Sequence, residues 1–312
     1  MESFNLALSV VVPMLVYMVT GAIIKKLGIF HPDQFRALNT MLFKVFIPLS
    51  LFCNVYATDL RTVIVPDIFL FCALGVIISV LLATCFTGFF TKEKRDRATL
   101  IQGIYRSNFV LFGLTIAQSL CDAEGVALVS ALSAVVVPLF NMIAVIIFEL
   151  SKGGNVRIGK LVISIFRNPL VDAGILGAVF SLLRIQLPVL LAGSLKTLGG
   201  IATPLALVAL GGILSFQSVM AHRKLLVVGM MGRLFVVPLL AVCAGVLMGF
   251  RGNELIAIMA VFASPTAVAS APMAQSMGGN GDLAGEIVVM TSAFCIFSLF
   301  LFTFVMAGMG LI

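Results

Sequence analysis

The sequence is poor in charge, because charged residues make up only 11% of its 312 residues, against about 25% in a soluble domain. Hydrophobic residues make up 61% of the chain, and they recur in runs of about 20 residues, the length that crosses a bilayer as a helix. No polar stretch between these runs is long enough for a sizeable soluble domain. The composition therefore excludes a soluble protein and predicts an all-α polytopic membrane protein.

Motifs for several kinds of chemistry are also missing. The sequence has no nucleotide-binding P-loop, metal-ligand cluster or serine-protease pattern. Its six cysteines lie in or beside apolar runs without paired spacing, which predicts core residues rather than disulfides or a metal site. The turn Gly279–Asp282 resembles the GxGD signature of intramembrane aspartyl proteases, but no preceding span offers the partner Tyr-Asp pair. We therefore expect no enzyme, no cofactor and no bound metal.

Lysine and arginine are distributed unevenly among the loops between ten predicted spans, 5–24, 37–57, 67–90, 98–120, 124–149, 161–183, 188–214, 224–249, 255–277 and 284–308. The odd-numbered loops and the span ends beside them contain Lys25, Lys26, Arg36, Lys92, Lys94, Arg95, Arg97, Lys152, Arg157, Lys160, Arg167, Arg223 and Lys224. The even-numbered loops contain only Arg61, Arg184 and Arg251. The positive-inside rule then predicts a multi-pass protein of the bacterial inner membrane with both termini outside the cytoplasm. The ninth loop is the exception, because it has no basic residue.

The sequence repeats itself at an offset of 156 residues. The matches pair Pro13 with Pro169, Gly21 with Gly177, and Pro48–Leu51 with Pro204–Leu207. Each half has five spans, and because five is odd the second half must enter the membrane from the opposite side. We therefore predict two inverted five-helix repeats, residues 1–153 and 154–312, an arrangement common among secondary transporters.

The ninth span carries two prolines in its interior, Pro265 and Pro272. Proline removes a backbone donor and clashes with the preceding turn, so the helix should break here. Transporters build binding sites at the bilayer midplane from such interrupted helices, although a kinked packing helix without a ligand is the alternative. The residues of this span that we expect to bind substrate are Ser264, Pro265, Thr266, Ser270 and Gln275.

The fourth span is the counterpart of the ninth in the repeat. It lacks proline, but Arg106, Ser107 and Asn108 form a polar cluster in its interior, and Gly113 could loosen the helix. We expect Arg106, Asn108 and Thr115 to contact the substrate. Arginine suits a carboxylate because its planar guanidinium can bind both oxygens.

Basic residues inside apolar spans outnumber acidic ones, and each costs roughly 2.5–3.5 kcal/mol near a span centre. The four are Lys44, Arg106, Lys196 and Arg233. This excess predicts an anion-binding cavity, although snorkelling toward the headgroups would explain all of them except Arg106 equally well. Asp172 is the intramembrane acid in this interpretation, and it could carry a coupling proton or form a structural ion pair. His31 and His222 are expected at the surface or at helix ends.

Taken together, the motifs resemble bacterial members of the auxin efflux carrier family, which include malate and malonate permease-like proteins. This family is related to the plant auxin carriers and more distantly to the sodium–bile acid symporters. The resemblance covers essentially the whole chain and rests on Phe46–Leu49, Ser107–Phe109 with Gly113, Arg167–Leu170, Thr203–Leu207 with Gly211, and Ser264–Ala267. It implies ten spans in two inverted repeats, crossing broken fourth and ninth helices, and organic anions as substrates. Thr115 departs from the family, which often has a proline there.

We therefore predict a secondary active transporter of small organic anions, with carboxylates as the expected class, that works by alternating access. Protons or sodium would be the coupling ion, lipid and the substrate anion the partners, and the resemblance is compatible with a homodimer. No nucleic-acid partner is expected. A passive anion channel and a ligand-binding membrane receptor are the alternatives, and a channel should show a continuous polar stripe that this sequence lacks.

Overall fold

The computed structural model describes residues 2–58, 66–153, 163, 167–214 and 216–312. Its helices are α1 Glu2–Lys26, α2 Pro32–Tyr56, α3 Pro66–Thr87, α4 Lys94–Tyr105, α5 Phe109–Leu120, α6 Ala123–Ser151, α7 Pro169–Leu182, α8 Val189–Ile213, α9 Phe216–Ala221, α10 Arg223–Leu247, α11 Gly252–Ala263, α12 Ser270–Met277 and α13 Gly281–Gly308. Arg61, Arg157, Lys160, the start of the sixth span and residues 154–162 of the predicted second repeat lie outside the described residues.

The helices have the length and composition of membrane spans. Within the described residues, α2, α3, α6, α8, α10 and α13 are each long and apolar enough to cross a bilayer, and α5, α7 and α11 are shorter apolar helices. Large apolar side chains on α3 and α13 are exposed, among them Leu70, Leu81, Phe297 and Phe304. Contiguous exposed apolar surface of this kind is suited to lipid, so the structure is that of a polytopic helical membrane protein.

The helices form two groups. In the first, α1 packs along α8 and α2 packs along α7 and α8. In the second, α4 packs against α3, α6 and α13, while α11 packs against α6 and α10. The groups meet where α6 contacts α7, where α12 contacts α2, and where α1 contacts α5 and α13. This division matters for function because the polar cavity described below lies between the groups.

Glycines allow the first group to pack at backbone distance. A Cβ on Gly21 of α1 would lie 1.9 Å from the carbonyl oxygen of Val208 in α8, and one on Gly177 of α7 would lie 2.9 Å from that of Phe52 in α2. Positions 21 and 177 are 156 residues apart, and so are positions 52 and 208. The same helix-to-helix contact therefore occurs twice, in the register of the sequence repeat.

The two half-helices α4 and α11 lie in the centre of the molecule. Every residue from Ala98 to Tyr105 and every residue from Leu255 to Ala263 is buried. A helix that is apolar on all sides is stable only when other helices surround it, and α11 meets this condition. The ends of these helices are consequently covered by protein, which is what non-helical backbone at membrane depth requires.

Loops of the second group are joined by polar contacts. Arg95 in α4 donates from Nε to the Gly278 carbonyl at 3.0 Å and from Nη2 to the Gly279 carbonyl at 3.2 Å. Asn280 accepts from the Leu283 N–H as the N-cap of α13 and donates to Asp96 Oδ1 at 2.8 Å. The sequence that resembles a protease signature is thus a helix-capping turn. A basic residue of the third loop binds the ninth loop, which has none of its own.

Candidate functional site

The fourth and ninth spans are both interrupted, and the interruptions cross. Between α4 and α5 the backbone is extended at Arg106, and between α11 and α12 it is extended at Ser264. Asn108 N donates to the Pro265 carbonyl at 2.7 Å, and Ala267 N donates to the Arg106 carbonyl at 3.2 Å. These bonds form an antiparallel bridge between Ser107 and Thr266. Each interruption thus supplies hydrogen-bond partners for the backbone groups that the other frees.

Arg233 of α10 binds the C-terminal ends of both half-helices. Its side chain is 0% exposed. Nη1 donates to the Ile104 and Tyr105 carbonyls at 3.1 and 2.9 Å. The remaining donors bind carbonyls at the end of α11, with Nε on Ser264 at 2.8 Å and Nη2 on Val261 and Phe262 at 3.3 and 2.5 Å. All five N–H donors of the guanidinium are therefore used. Snorkelling does not describe Arg233, because its guanidinium is buried and bonded to carbonyls at the crossing.

Arg106 is the second buried arginine at the crossing, with 4% of its surface exposed. Nη2 donates to Asn141 Oδ1 of α6 at 2.5 Å, and Nη1 lies 2.9 Å from Met273 Sδ. The side-chain amide of Gln102 is oriented so that both its oxygen and its nitrogen have hydrogen-bond partners. Its oxygen then also accepts from Arg106 Nη1 at 3.0 Å. These partners are all neutral, so they orient the guanidinium without neutralising its charge.

A cavity of about 180 Å³ lies beside the crossing, between the two groups of helices. Arg106 and Asn108 line it from the fourth-span interruption, and Asn141 lines it from α6. Other polar lining residues are Ser50 and Asn54 of α2, Ser107, and Thr203 of α8. The Nδ2 of Asn108 and the Oγ of Ser107 are buried without a hydrogen-bond partner among the described residues. The cavity thus has free donors beside a cation.

Of the residues predicted to bind substrate, the structure brings Arg106 and Asn108 to the cavity and places the others elsewhere. Thr266 Oγ1 donates to the Gly103 carbonyl at 2.7 Å, and Ser264 Oγ donates to the Ala260 carbonyl at 2.6 Å. The Thr115 hydroxyl bonds its own helix, at the Leu111 carbonyl. These residues do not line the cavity.

Ser270 and Gln275 of α12 also lie away from the cavity lining. Ser270 Oγ is buried without a partner in the described chain. Gln275 connects α12 to α2, because its Nε2 donates to the Arg36 carbonyl at 2.8 Å and its Oε1 accepts from Asn39 Nδ2 at 3.0 Å. It therefore joins the two helix groups rather than lining the cavity.

The helix breaks fall at particular residues. Pro265 lies within the ninth-span interruption, whereas Pro272 lies in the first turn of α12. The fourth span is interrupted at Arg106–Asn108 rather than at Gly113, which lies in a wide π-helical turn at the start of α5. A Cβ on Gly113 would lie 2.4 Å from the ring of Phe109. Glycine is needed here to make room for that ring.

The structure shows a buried acid that the sequence analysis did not single out. Asp172 is exposed in the first turn of α7, and no cation of the described chain lies within ion-pair distance of it. Glu286 of α13 is 1% exposed instead, and its Oε2 lies 2.8 Å from Nδ1 of half-buried His222. The sequence interpretation overlooked Glu286 and treated His222 as a surface or helix-end residue. His222 does precede α10 as its N-cap. Its environment, however, is determined by its contact with Glu286, which is 64 positions away in the sequence.

Lys44 and Lys196 are exposed and are not among the cavity-lining residues. The polar residues that sequence reasoning missed at the cavity are Ser50, Asn54, Asn141 and Thr203. Each has apolar residues on both sides of it along the chain. That isolation is a weak signal, because one serine or asparagine is readily accommodated within a span.

These features define a polytopic helical membrane protein with a polar cavity at the crossing of two interrupted helices, a design found in membrane transporters. The chain belongs to the membrane transport protein family, of the auxin efflux carrier type, whose family model matches residues 6–303. It is also 26% identical over 305 residues to a protein of Methanothermobacter thermautotrophicus named as an uncharacterized transporter, with 95% of this chain and 97% of that protein covered. The family resemblance found in the sequence is confirmed, and the family and the similar protein both indicate a membrane transporter.

Proposed function

We propose that the protein is a secondary active transporter of small organic anions, with carboxylates as the substrate class. The observation that carries the proposal is the environment of Arg106. Its guanidinium is buried and reaches the cavity, its side-chain partners among the described residues are neutral, and no Asp or Glu is among the lining residues. A buried charge without an opposite charge is costly, and a bound carboxylate would compensate it.

Two helix N-termini at the cavity support the same ligand class. The cavity is lined by Phe109–Leu111, the first turn of α5, and by Ala267–Ala269, which lead into α12. A helix N-terminus carries about half a positive elementary charge and presents unpaired N–H groups. Together with the free Nδ2 of Asn108, these groups offer charge-assisted hydrogen bonds to a carboxylate.

We also propose that ten spans form two inverted five-helix repeats, residues 1–153 and 154–312. The support is the matched pair of contacts, Gly21 with Val208 and Gly177 with Phe52, which share the 156-residue offset of the sequence repeat. In such repeats the site lies where the interrupted helices of both halves meet, and one helix group moves against the other to give alternating access. The cavity between the groups suits that movement.

The proposed location is a bacterial inner membrane, with both termini outside the cytoplasm. The basic loops support this orientation, and the contact of Arg95 with the ninth loop supports a common side for the third and ninth loops. Uptake driven by imposed proton or sodium gradients would identify the coupling ion. Cross-linking in native membranes would test the homodimer.

Uptake of labelled malonate, succinate and acetate into proteoliposomes tests the function. We expect saturable, gradient-dependent uptake of at least one of them, and a decrease of at least about tenfold for Arg106→Gln, which corresponds to about 1.4 kcal/mol. Lys44→Gln is the matched control, because it also removes a cation from a span but lies outside the cavity lining, and it should transport normally.

The alternatives predict different results. Single-channel currents in a planar bilayer would indicate a channel, and saturable malonate binding without flux would indicate a receptor. Normal uptake by Arg106→Gln would show that the substrate binds elsewhere.

A further inference from the structure

The C-terminal ends of two half-helices meet Arg233 in the middle of the molecule. The carbonyls of Ile104 and Tyr105 end α4, and those of Val261, Phe262 and Ser264 end α11. A helix C-terminus carries about half a negative elementary charge, so the two ends together carry about one. A single guanidinium therefore balances both.

This balance leaves the other two helix ends uncompensated. The N-termini of α5 and α12 carry about half a positive charge each, and the lining of the cavity near them contains Arg106 but no carboxylate among the described residues. With the C-terminal ends neutralised, the crossing carries about two positive charges, one from the N-termini and one from Arg106. Without Arg233, the two C-terminal ends would cancel about one of these.

We propose that Arg233 is a positioning residue that makes the crossing cationic and so sets a preference for dianions, without itself touching the substrate. All five of its N–H donors are used by backbone carbonyls, and it is not among the cavity-lining residues. It acts on the substrate through its charge and through the backbone that it holds. The inference rests on the proposed function and extends it from carboxylates in general to a preference for dianions over monoanions.

The test compares Arg233→Gln, Arg233→Lys and the parent protein in proteoliposomes, with labelled malonate and labelled acetate as probes. If the charge of Arg233 matters, Arg233→Gln raises the KM for malonate about tenfold or more and raises the KM for acetate less. Arg233→Lys keeps the charge, so its KM for malonate should stay within about threefold of the parent, even though lysine cannot make the five hydrogen bonds of the guanidinium. Lys224→Gln removes an exposed cation from the same helix and should leave both KM values unchanged.

A purely structural role gives another pattern. If Arg233 only holds the fold, Arg233→Gln lowers the maximal rate and the melting temperature with an unchanged KM, and the inference is overturned. If Arg233→Gln yields no folded protein on size-exclusion chromatography, Arg233→Lys decides: a KM within threefold supports the inference, and a tenfold rise overturns it. Absence of any carboxylate uptake by the parent would overturn the proposed function itself, whereas normal parental uptake with equal KM values in all variants would overturn only this inference.

Discussion

Two buried arginines at one crossing have different roles, and their partners show why. The guanidinium of Arg233 is saturated by five backbone carbonyls, so it has no donor left for a ligand. The guanidinium of Arg106 is oriented by Asn141 and Met273 and faces a cavity. The sequence singled out both residues as cations inside apolar spans. Only the positions of their partners show that Arg233 holds the backbone and that Arg106 is a candidate substrate-binding residue.

A single substitution beside Arg106 should neutralise its charge. Asn141→Asp puts a carboxylate where Oδ1 now accepts from Nη2, and the resulting ion pair should reduce malonate uptake by at least about tenfold, because the new carboxylate occupies the charge that the substrate needs. Asn141→Leu, which removes the acceptor without adding charge, should retain more uptake. Equal uptake by Asn141→Asp and the parent would contradict the assignment of Arg106.

For whole helices, close packing explains why glycine occurs at particular positions of the spans. Gly21 and Gly177 were noticed in the sequence only as members of a repeat, and the structure shows that both are close backbone contacts between helices of the first group. Gly113, which could loosen the helix, lies in a wide π-helical turn and also makes room for the ring of Phe109. A glycine in a span can be needed for several structural reasons, and only the packed neighbours of that glycine show which reason applies.

Replacing one of these glycines should separate two helices. Gly21→Val places a Cβ against the carbonyl oxygen of Val208, and the forced movement of α1 from α8 should cost about 1–3 kcal/mol, seen as a lower melting temperature in detergent. Gly177→Val should have the same effect through Phe52. Gly193→Val is the matched control, because no atom lies within 4 Å of a Cβ at that position, and its melting temperature should not fall.

For the molecule as a whole, the important feature is the set of hydrogen bonds that connects the two helix groups. Asn39 of α2, which is buried, and Gln275 of α12 are bonded across the boundary between the groups, beside the Arg36 carbonyl that Gln275 also binds. Alternating access by movement of one group against the other requires these bonds to break. Asn39 and Gln275 should therefore act as a latch on the side of the basic loops.

A cross-link at the latch should stop transport. In a background without native cysteines, oxidation of Asn39→Cys/Gln275→Cys should reduce malonate uptake to background, and reduction should restore it. The control pair is Asp122→Cys/Asn253→Cys, whose parent side chains are bonded at 2.7 Å within one group, and its cross-link should leave uptake intact. Undiminished uptake with the latch pair fully cross-linked would show that the groups do not separate there.

The amino-acid sequence was sufficient to predict the membrane class, the family and the break in the ninth span, because hydrophobic length, charge scarcity and proline act locally along the chain. The break in the fourth span came from the family resemblance, since that span has no proline. Packing determines which polar residues face the cavity, that Glu286 is buried beside His222, and that Arg233 binds both half-helix ends. Those facts depend on contacts between residues distant in sequence, such as the 129 positions between Ile104 and Arg233. Spacing along the chain carries no record of such contacts, since in lipid a buried polar group takes whichever partner the packed helices bring within reach.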